Sequence, residues 1–362
     1  MNPKVIAFYL PQYHPTPHNN EWWGEGFTEW TNVAKAKPLF HGHYQPKIPA
    51  DLGFYDLRMS EVRERQAELA KQAGVTGFCY YHYWFGDGKQ ELELPFNEVV
   101  NSYKPNFPFC LCWANETWTR KFWNNNGVDV GQETLAEQEY VGDDDDIVHF
   151  NSLLSAFKDP RYIKIDDKLV FMIYRPLAFP EMARFIDLWN KLAIENGIKG
   201  FYFIGYTLNV KDDYDVLKRL GFNGVCSCRM RRHNKRDFDW FLRKAFSIIS
   251  HSPERYQYKN VYPTLIGKEE SELNDVFPTL LPNWDHTPRS GTGGYLFTKS
   301  TPELFERHAE DVFMHISDKP ADSQICFLKS WNEWGEGNYM EPDLKFGKGY
   351  IRALRNAVDK YK

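Results

Sequence analysis

Glu333 and Glu336 stand three residues apart in the run Trp331-Asn332-Glu333-Trp334-Gly335-Glu336-Gly337. Paired carboxylates can move protons to and from sugar oxygens, which is the central demand of glycoside chemistry. Tryptophan offers a flat apolar face on which a pyranose ring can rest. Glycine lets the backbone turn sharply and approach a ligand. Along an extended strand, residues three apart point to opposite sides. The two glutamates therefore serve one ligand only if the chain turns between them, a turn that Gly335 permits. An acid role further requires one carboxyl to hold its proton near neutrality, through desolvation or a neighbouring negative charge. The alternative is a strand-end glutamate paired to an arginine.

Other residues could contribute to such a site. Asn115 and Glu116 either recognise sugar hydroxyls or bond into a neighbouring loop. Glu25 and Glu29, with Trp23 and Trp30, form either a site wall or a solvated loop. Asp285 and Arg289 either brace their loop by pairing with each other, or Asp285 binds a sugar hydroxyl. Trp284, Trp331 and Tyr9 are candidate stacking faces or barrel-end plugs. Gln12, His14, His82, Tyr83, Trp84, Trp113, Arg175, Asn332 and Trp334 are further candidates for substrate contact. No His/Asp/Glu set has a recognisable metal-ligand spacing, so neither a metal nor another cofactor is expected. Asp143 to Asp146 superficially resemble a DxD metal motif, but lie in a helical pattern and are expected to form a solvated acidic face.

These residues need a frame. Short apolar runs predict strands at Val5 to Leu10, Gly77 to Tyr83, Phe109 to Ala114, Leu169 to Tyr174, Phe201 to Tyr206, Gly224 to Cys228, Val276 to Leu281 and Ile325 to Ser330. Amphipathic stretches between them predict helices at Leu57 to Gln72, Leu135 to Phe157, Pro180 to Asn196, Tyr214 to Leu220, Phe238 to Ile249, Pro302 to Ile316 and Tyr350 to Tyr361. Near-continuous hydrophobic strands fit a parallel sheet buried on both faces. Eight such strands alternating with helices predict an α/β fold, a (β/α)8 TIM barrel with long βα loops. A doubly wound sheet is the competitor, but no GxGxxG turn follows the first strand. With no Gly-, Ser- or Pro-rich linker, residues 1–362 read as a single domain. The candidate residues cluster at predicted strand ends, where a barrel of this kind builds its active site.

Composition narrows the partners. Aromatic residues make up 17% of the chain, including 12 Trp, and many lie beside polar residues at strand ends, as a carbohydrate surface requires. A formal net charge of −5 argues against nucleic-acid binding. The dense basic cluster Arg229-Met230-Arg231-Arg232-His233 is either a solvated loop or a clamp for a carboxylate, sulfate or phosphate. No signal-peptide pattern and no membrane-spanning run is apparent. The six cysteines lie in apolar strands and read as buried free thiols, which fits a reducing cytoplasmic compartment.

The chain resembles the WbsX-type proteins, glycoside hydrolase family 99-like domains associated with polysaccharide biosynthesis. Six ordered blocks carry the likeness: residues 7–14 (AFYLPQYH), 23–30 (WGEGFTEW), 79–85 (CYYHYWF), 113–116 (WANE), 284–289 (WDHTPR) and 331–337 (WNEWGEG). Likeness to the hydrolases proper rests on the barrel and on Glu333 to Gly337. Those hydrolases are retaining endo-α-mannosidases and endo-α-mannanases that use the substrate's own 2-hydroxyl through an anhydro-sugar intermediate. The resemblance implies that Glu333 is the base acting on the 2-hydroxyl. It implies that Glu336 protonates the leaving oxygen and then activates water. The expectation is an endo-acting retaining glycoside hydrolase with an oligosaccharide or bacterial-type polysaccharide substrate. A glycosyltransferase or transglycosylase in O-antigen or capsule synthesis is the first alternative, and an inactive carbohydrate-binding barrel is the second.

Overall fold

A computed structural model describes residues 3–123, 129–230 and 238–362. Eight parallel strands close into a barrel: β1 (Lys4–Tyr9), β2 (Gly77–Gly86), β3 (Phe109–Trp113), β4 (Lys168–Ile173), β5 (Phe201–Thr207), β6 (Gly224–Ser227), β7 (Val276–Leu280) and β8 (Ile325–Leu328). Each pairs with its sequence neighbours, and β1 pairs with both β2 and β8 to close the ring. A helix follows every strand: α1 (Ser60–Ala73), α2 (Leu94–Ser102), α3 (Asp143–Ser152), α4 (Met182–Glu195), α5 (Val210–Arg219), α6 (Phe238–Ile249), α7 (Pro302–Ile316) and α8 (Gly349–Lys360). Among the described residues no helix is long and apolar enough to cross a membrane.

The strands read as unbroken apolar runs because both faces are covered. Alternation then decides which aromatics reach the interior. On β1, Phe8 points inward, stacked on Tyr81 with ring centroids 5.4 Å apart. Tyr9 points outward, and its hydroxyl donates to Gln66 of α1 at 2.6 Å. On β2, Tyr81 and Tyr83 share the inward side, whereas Tyr80 packs on Phe96 of α2 and His82 on His149 of α3.

Two expectations need correction. The predicted helix from Leu135 to Phe157 begins only at Asp143. Gly142 has φ 122°, outside any right-handed helix, and Asp129–Ala136 instead pairs antiparallel with Trp118–Trp123. The acidic run is only in part a solvated face: Asp143 and Asp144 are exposed, but Asp145 and Asp146 turn toward the protein. Asp143 pairs with Arg184, Asp145 accepts from the Trp84 indole at 3.0 Å, and Asp146 is buried, which pushes its carboxyl up to about 7. All six cysteines are buried free thiols.

Candidate active site

Beyond β8 the chain forms a tight hairpin. Asn332–Glu333 pairs antiparallel with Asn338–Tyr339 around the single turn Trp334–Glu336. Glu333 sits on the entering arm and Glu336 closes the turn, so both reach the barrel mouth. Gly335 is required for space and not for an unusual backbone angle: a Cβ there would collide with the Glu29 carboxylate. The left-handed residue is Gly337, at φ 66°, whose missing side chain leaves room for the Lys47 ammonium and Asp285.

Several bonds fix the hairpin to the barrel rim. The Asn332 amide accepts from Leu10 N at 2.8 Å and donates to Leu10 O at 2.9 Å. The Tyr13 hydroxyl donates to Asn332 O and accepts from Trp334 N. The Trp334 ring lies on Tyr339 with centroids 3.7 Å apart, and its indole N–H donates to Glu341 at 2.7 Å. Glu341 also accepts from Tyr55 and Gln66. Burial pushes its carboxyl up to about 7 against those hydrogen bonds.

Arg289 organises the carboxylates. It arrives on the short turn Thr287–Ser290 after β7, while Glu29 opens the helix Glu29–Lys35, whose Thr28 cap accepts from Trp30 N. Arg289 Nε donates to Glu29 at 2.9 Å and Nη1 to Glu336 at 2.6 Å, and Nη1 lies 3.6 Å from Glu333 Oε1. One guanidinium thus faces three carboxyl groups. Burial, reinforced by the Glu336 charge, pushes the Glu333 carboxyl up to about 7. Its Oε2 meets no hydrogen-bond donor among the described residues, and the Lys329 ammonium stands 3.9 Å away. His286 Nε2 lies 3.6 Å from Glu336, and burial together with Arg289 pushes that imidazole down to about 4.

Glu29, Arg289, Glu333 and Glu336 therefore converge, with Tyr83 on the same inward side. Gln12 supports them through its backbone carbonyl, which accepts from Glu29 N. Trp284 stacks on His286 beside them. The pairing of Asp285 with Arg289 is overturned. Asp285 accepts from His43, Gln45, Lys47 and Thr287. Although burial opposes it, the Lys47 ammonium and those hydrogen bonds hold its carboxyl well below the usual range.

Other candidates bond or pack elsewhere, or stand exposed. Tyr9, His82, Trp84, Trp113 and Trp331 are buried; Tyr9 and His82 bond to helix side chains, and Trp113 donates to Trp84 O at 2.9 Å. His14 meets Pro11 O, Trp30 packs beneath Trp334, and Glu25 and Trp23 are exposed in the first loop. Asn115 braces Arg175 through backbone bonds, and Glu116 pairs with the Arg175 guanidinium at 2.6 Å. Arg229 is buried against Glu269 and Glu270, so it is no clamp for an added anion; residues 231–233 lie outside the described residues. Among the described residues no group of three His, Cys, Asp or Glu side chains could hold a metal ion.

Sequence reasoning missed Lys329, His286, Tyr81, Tyr174 and Tyr206 as contributors. Lys329 Nζ donates to the Tyr81 hydroxyl at 3.2 Å and lies 5.8 to 6.0 Å from the rings of Phe8, Tyr81, Tyr174 and Tyr206. The signal was present: a lysine in a strand buried on both faces needs a partner.

The family described as glycosyltransferase WbsX matches residues 5–354. Two uncharacterized WxcX proteins, from two strains of Xanthomonas campestris pv. campestris, are 33% identical over 359 residues, 98% of this chain and 49% of theirs. The chain thus spans about half the length of these curated relatives. Two structures of the GH99 endo-alpha-mannosidase from Bacteroides thetaiotaomicron align with TM-scores of 0.59 and 0.58 at 15% and 14% identity, covering 99% of this chain and 96% and 97% of theirs. A glycoside hydrolase-like protein aligns at 0.59 and 16% identity, covering 99% of this chain and 94% of its own. At these identities the structural likeness concerns the barrel fold.

Proposed function

The chain belongs to the WbsX glycosyltransferase family, and from that premise and the geometry of its barrel mouth we propose a carbohydrate-active enzyme that opens internal glycosidic bonds of a bacterial-type polysaccharide with retention. The observation that carries this reading is the convergence of Glu333 and Glu336 on Arg289, with Glu333 titrating near neutrality. A carboxyl with that property both takes and returns a proton at working pH.

In the proposed cycle Glu333 removes the proton of the sugar 2-hydroxyl, and O2 attacks C1 of the same ring. Glu336 gives its proton to the departing glycosidic oxygen. Water then attacks C1 of the 1,2-anhydro sugar; Glu336 takes the water proton and Glu333 returns its own to O2. This substrate-assisted route escapes the usual link between carboxyl separation and stereochemistry. The cycle requires Glu333 to enter ionised and Glu336 to carry the proton. The reduced thiols fit a cytoplasmic enzyme.

The family's description favours a second reading, glycosyl transfer from an activated donor. A screen of defined polysaccharides with product analysis, run beside Glu333→Gln and Glu336→Gln, tests the first. Hydrolysis without a donor, abolished in both variants with folding and binding intact, is the expected result. Full turnover in either variant overturns it. Calorimetric binding of a nucleotide sugar without any hydrolysis favours transfer. Tight oligosaccharide binding with no product from either assay leaves a binding barrel.

A further inference from the structure

Behind the catalytic hairpin lies a separate cavity of about 470 Å³. The Glu336–Gly337 backbone and Asp285 divide it from the carboxylate cluster: Asp285 N donates to Glu336 O at 2.6 Å, and Gly337 and Asp285 both line the cavity. Its electrostatics oppose those of the chain. Lys47, Arg255, Lys299 and Lys345 line it, against Asp285 as the one lining carboxylate among the described residues, in a protein of net charge −5.

Lys47 is 3.0 Å from Asp285 and offsets it, which leaves Lys299 and Lys345 as a surplus. Lys345 is exposed, its ammonium over the Tyr44 and Phe346 rings at 4.6 and 4.9 Å. The Arg255 guanidinium lies 4.6 Å over Phe40. Lys299 adopts φ 60°, a left-handed conformation that a side-chain-bearing residue adopts at an energetic cost. Among the described residues, neither Lys299 nor Lys345 has a carboxylate within ion-pair distance. Cations held on aromatic faces around a concavity attract an anion and leave sugar-sized apolar surface beside it.

We propose that this cavity binds an anionic group, a carboxylate or a phosphoryl, carried by the carbohydrate that the adjacent carboxylate pair acts on. The anion itself requires only the cavity; its attachment to a sugar rests on the proposed function. A uronate within the glycan and the diphosphate of an activated sugar present the same chemistry, charge-assisted acceptors for lysine and arginine.

The test measures calorimetric affinity of the full chain for a uronate-containing tetrasaccharide, its neutral counterpart and inorganic pyrophosphate, in wild type and in the double variant Lys299→Ala/Lys345→Ala. Both lysines are exposed, so unchanged thermal unfolding is expected of the variant. The expected result is a preference of roughly tenfold or more for an anionic over the neutral probe, lost in the variant while neutral-sugar affinity stays. Preference for the uronate identifies a carboxylate source, and lysine-dependent pyrophosphate binding a phosphoryl source. Equal affinity for charged and neutral sugars with no pyrophosphate binding overturns the site. So does a preference that survives the double variant. Pyrophosphate binding that depends on the lysines, with no sugar bound or cleaved, keeps the anion site and refutes the carbohydrate reading.

Discussion

Lys329 Nζ stands 3.9 Å from Glu333 Oε2, on the side of that carboxyl opposite Arg289. Lys329 follows the last residue of β8 and enters a ring of four aromatic faces, so its charge has little water around it. Glu333 is thus flanked by two cations and still rises to about 7, because burial is the larger effect.

Removing that ammonium should move Glu333 further up. A unit charge at this separation is worth about 4 kcal/mol at an effective dielectric near 20, before desolvation is subtracted. For Lys329→Met the acid limb of the kcat/KM profile should shift alkaline by at least about one pH unit. Activity at pH 7 should fall at least about fivefold. An unmoved limb would reduce Lys329 to a packing residue.

Arg289 should be harder to replace. Arg289→Met leaves Glu29, Glu333 and Glu336 facing one another with no counter-charge between them. Breaking a buried pair in this way costs about 3 to 5 kcal/mol. Urea unfolding should show that loss and activity should vanish. Arg289→Lys keeps the charge but not the fork that reaches Glu29 and Glu336 at once, so it should regain stability more than turnover.

How far the residue pattern reveals this arrangement depends on the physics behind each part. The barrel was legible because eight apolar runs separated by amphipathic helices admit few closures. The Glu333 and Glu336 pair was legible because its chemistry is concentrated in one segment. Which aromatics face the ligand was not. Tyr81 and His82 are adjacent, and only the register of β2 against β1 puts Tyr81 inside and His82 against α3. One residue of shift exchanges the two sides. The Asp285 and Arg289 pairing failed for a related reason. Both sit on one short segment, but their partners, Lys47 and Glu29, come from the distant first loop.

That long-range contact predicts the behaviour of Gly335. Gly335→Ala places a methyl where the Glu29 carboxylate lies, and the backbone there has little freedom to retreat. Overpacking of this kind costs about 1 to 3 kcal/mol. Displacing the Glu29–Arg289 pair by about an ångström should cut kcat roughly a hundredfold, with unchanged far-UV circular dichroism. Glu29→Asp withdraws the carboxylate, so the double variant should be more active than Gly335→Ala alone. A double variant no better than the single would show that the damage lies elsewhere.

Stability should fall as the solution becomes more alkaline, because Glu333 and Glu341 are both raised to about 7 by burial. In the unfolded chain each titrates near the ordinary glutamate value of about 4.3. Between that value and 7 the native state binds more protons than the unfolded state, so unfolding free energy decreases with pH. The stabilisation relative to alkaline conditions is fully present below about pH 4 for these two groups. It is lost as pH rises through 7, about 4 kcal/mol for each group at most. Acid effects on other carboxylates, Asp285 above all, act in the opposite direction and set the lower edge of the window. Urea midpoints should therefore decline from about pH 6 to pH 8. Glu333→Gln removes one titrating group without removing volume, so its decline should be shallower and its stability at pH 8 higher than that of the wild type. The same substitution at Glu341 should not stabilise, since its two oxygens accept from Tyr55, Gln66 and Trp334 and one of them would become an amide N–H facing a donor. A Glu333→Gln curve parallel to the wild type would mean that Glu333 stays ionised in the folded protein, and would remove it as the neutral-pH proton carrier.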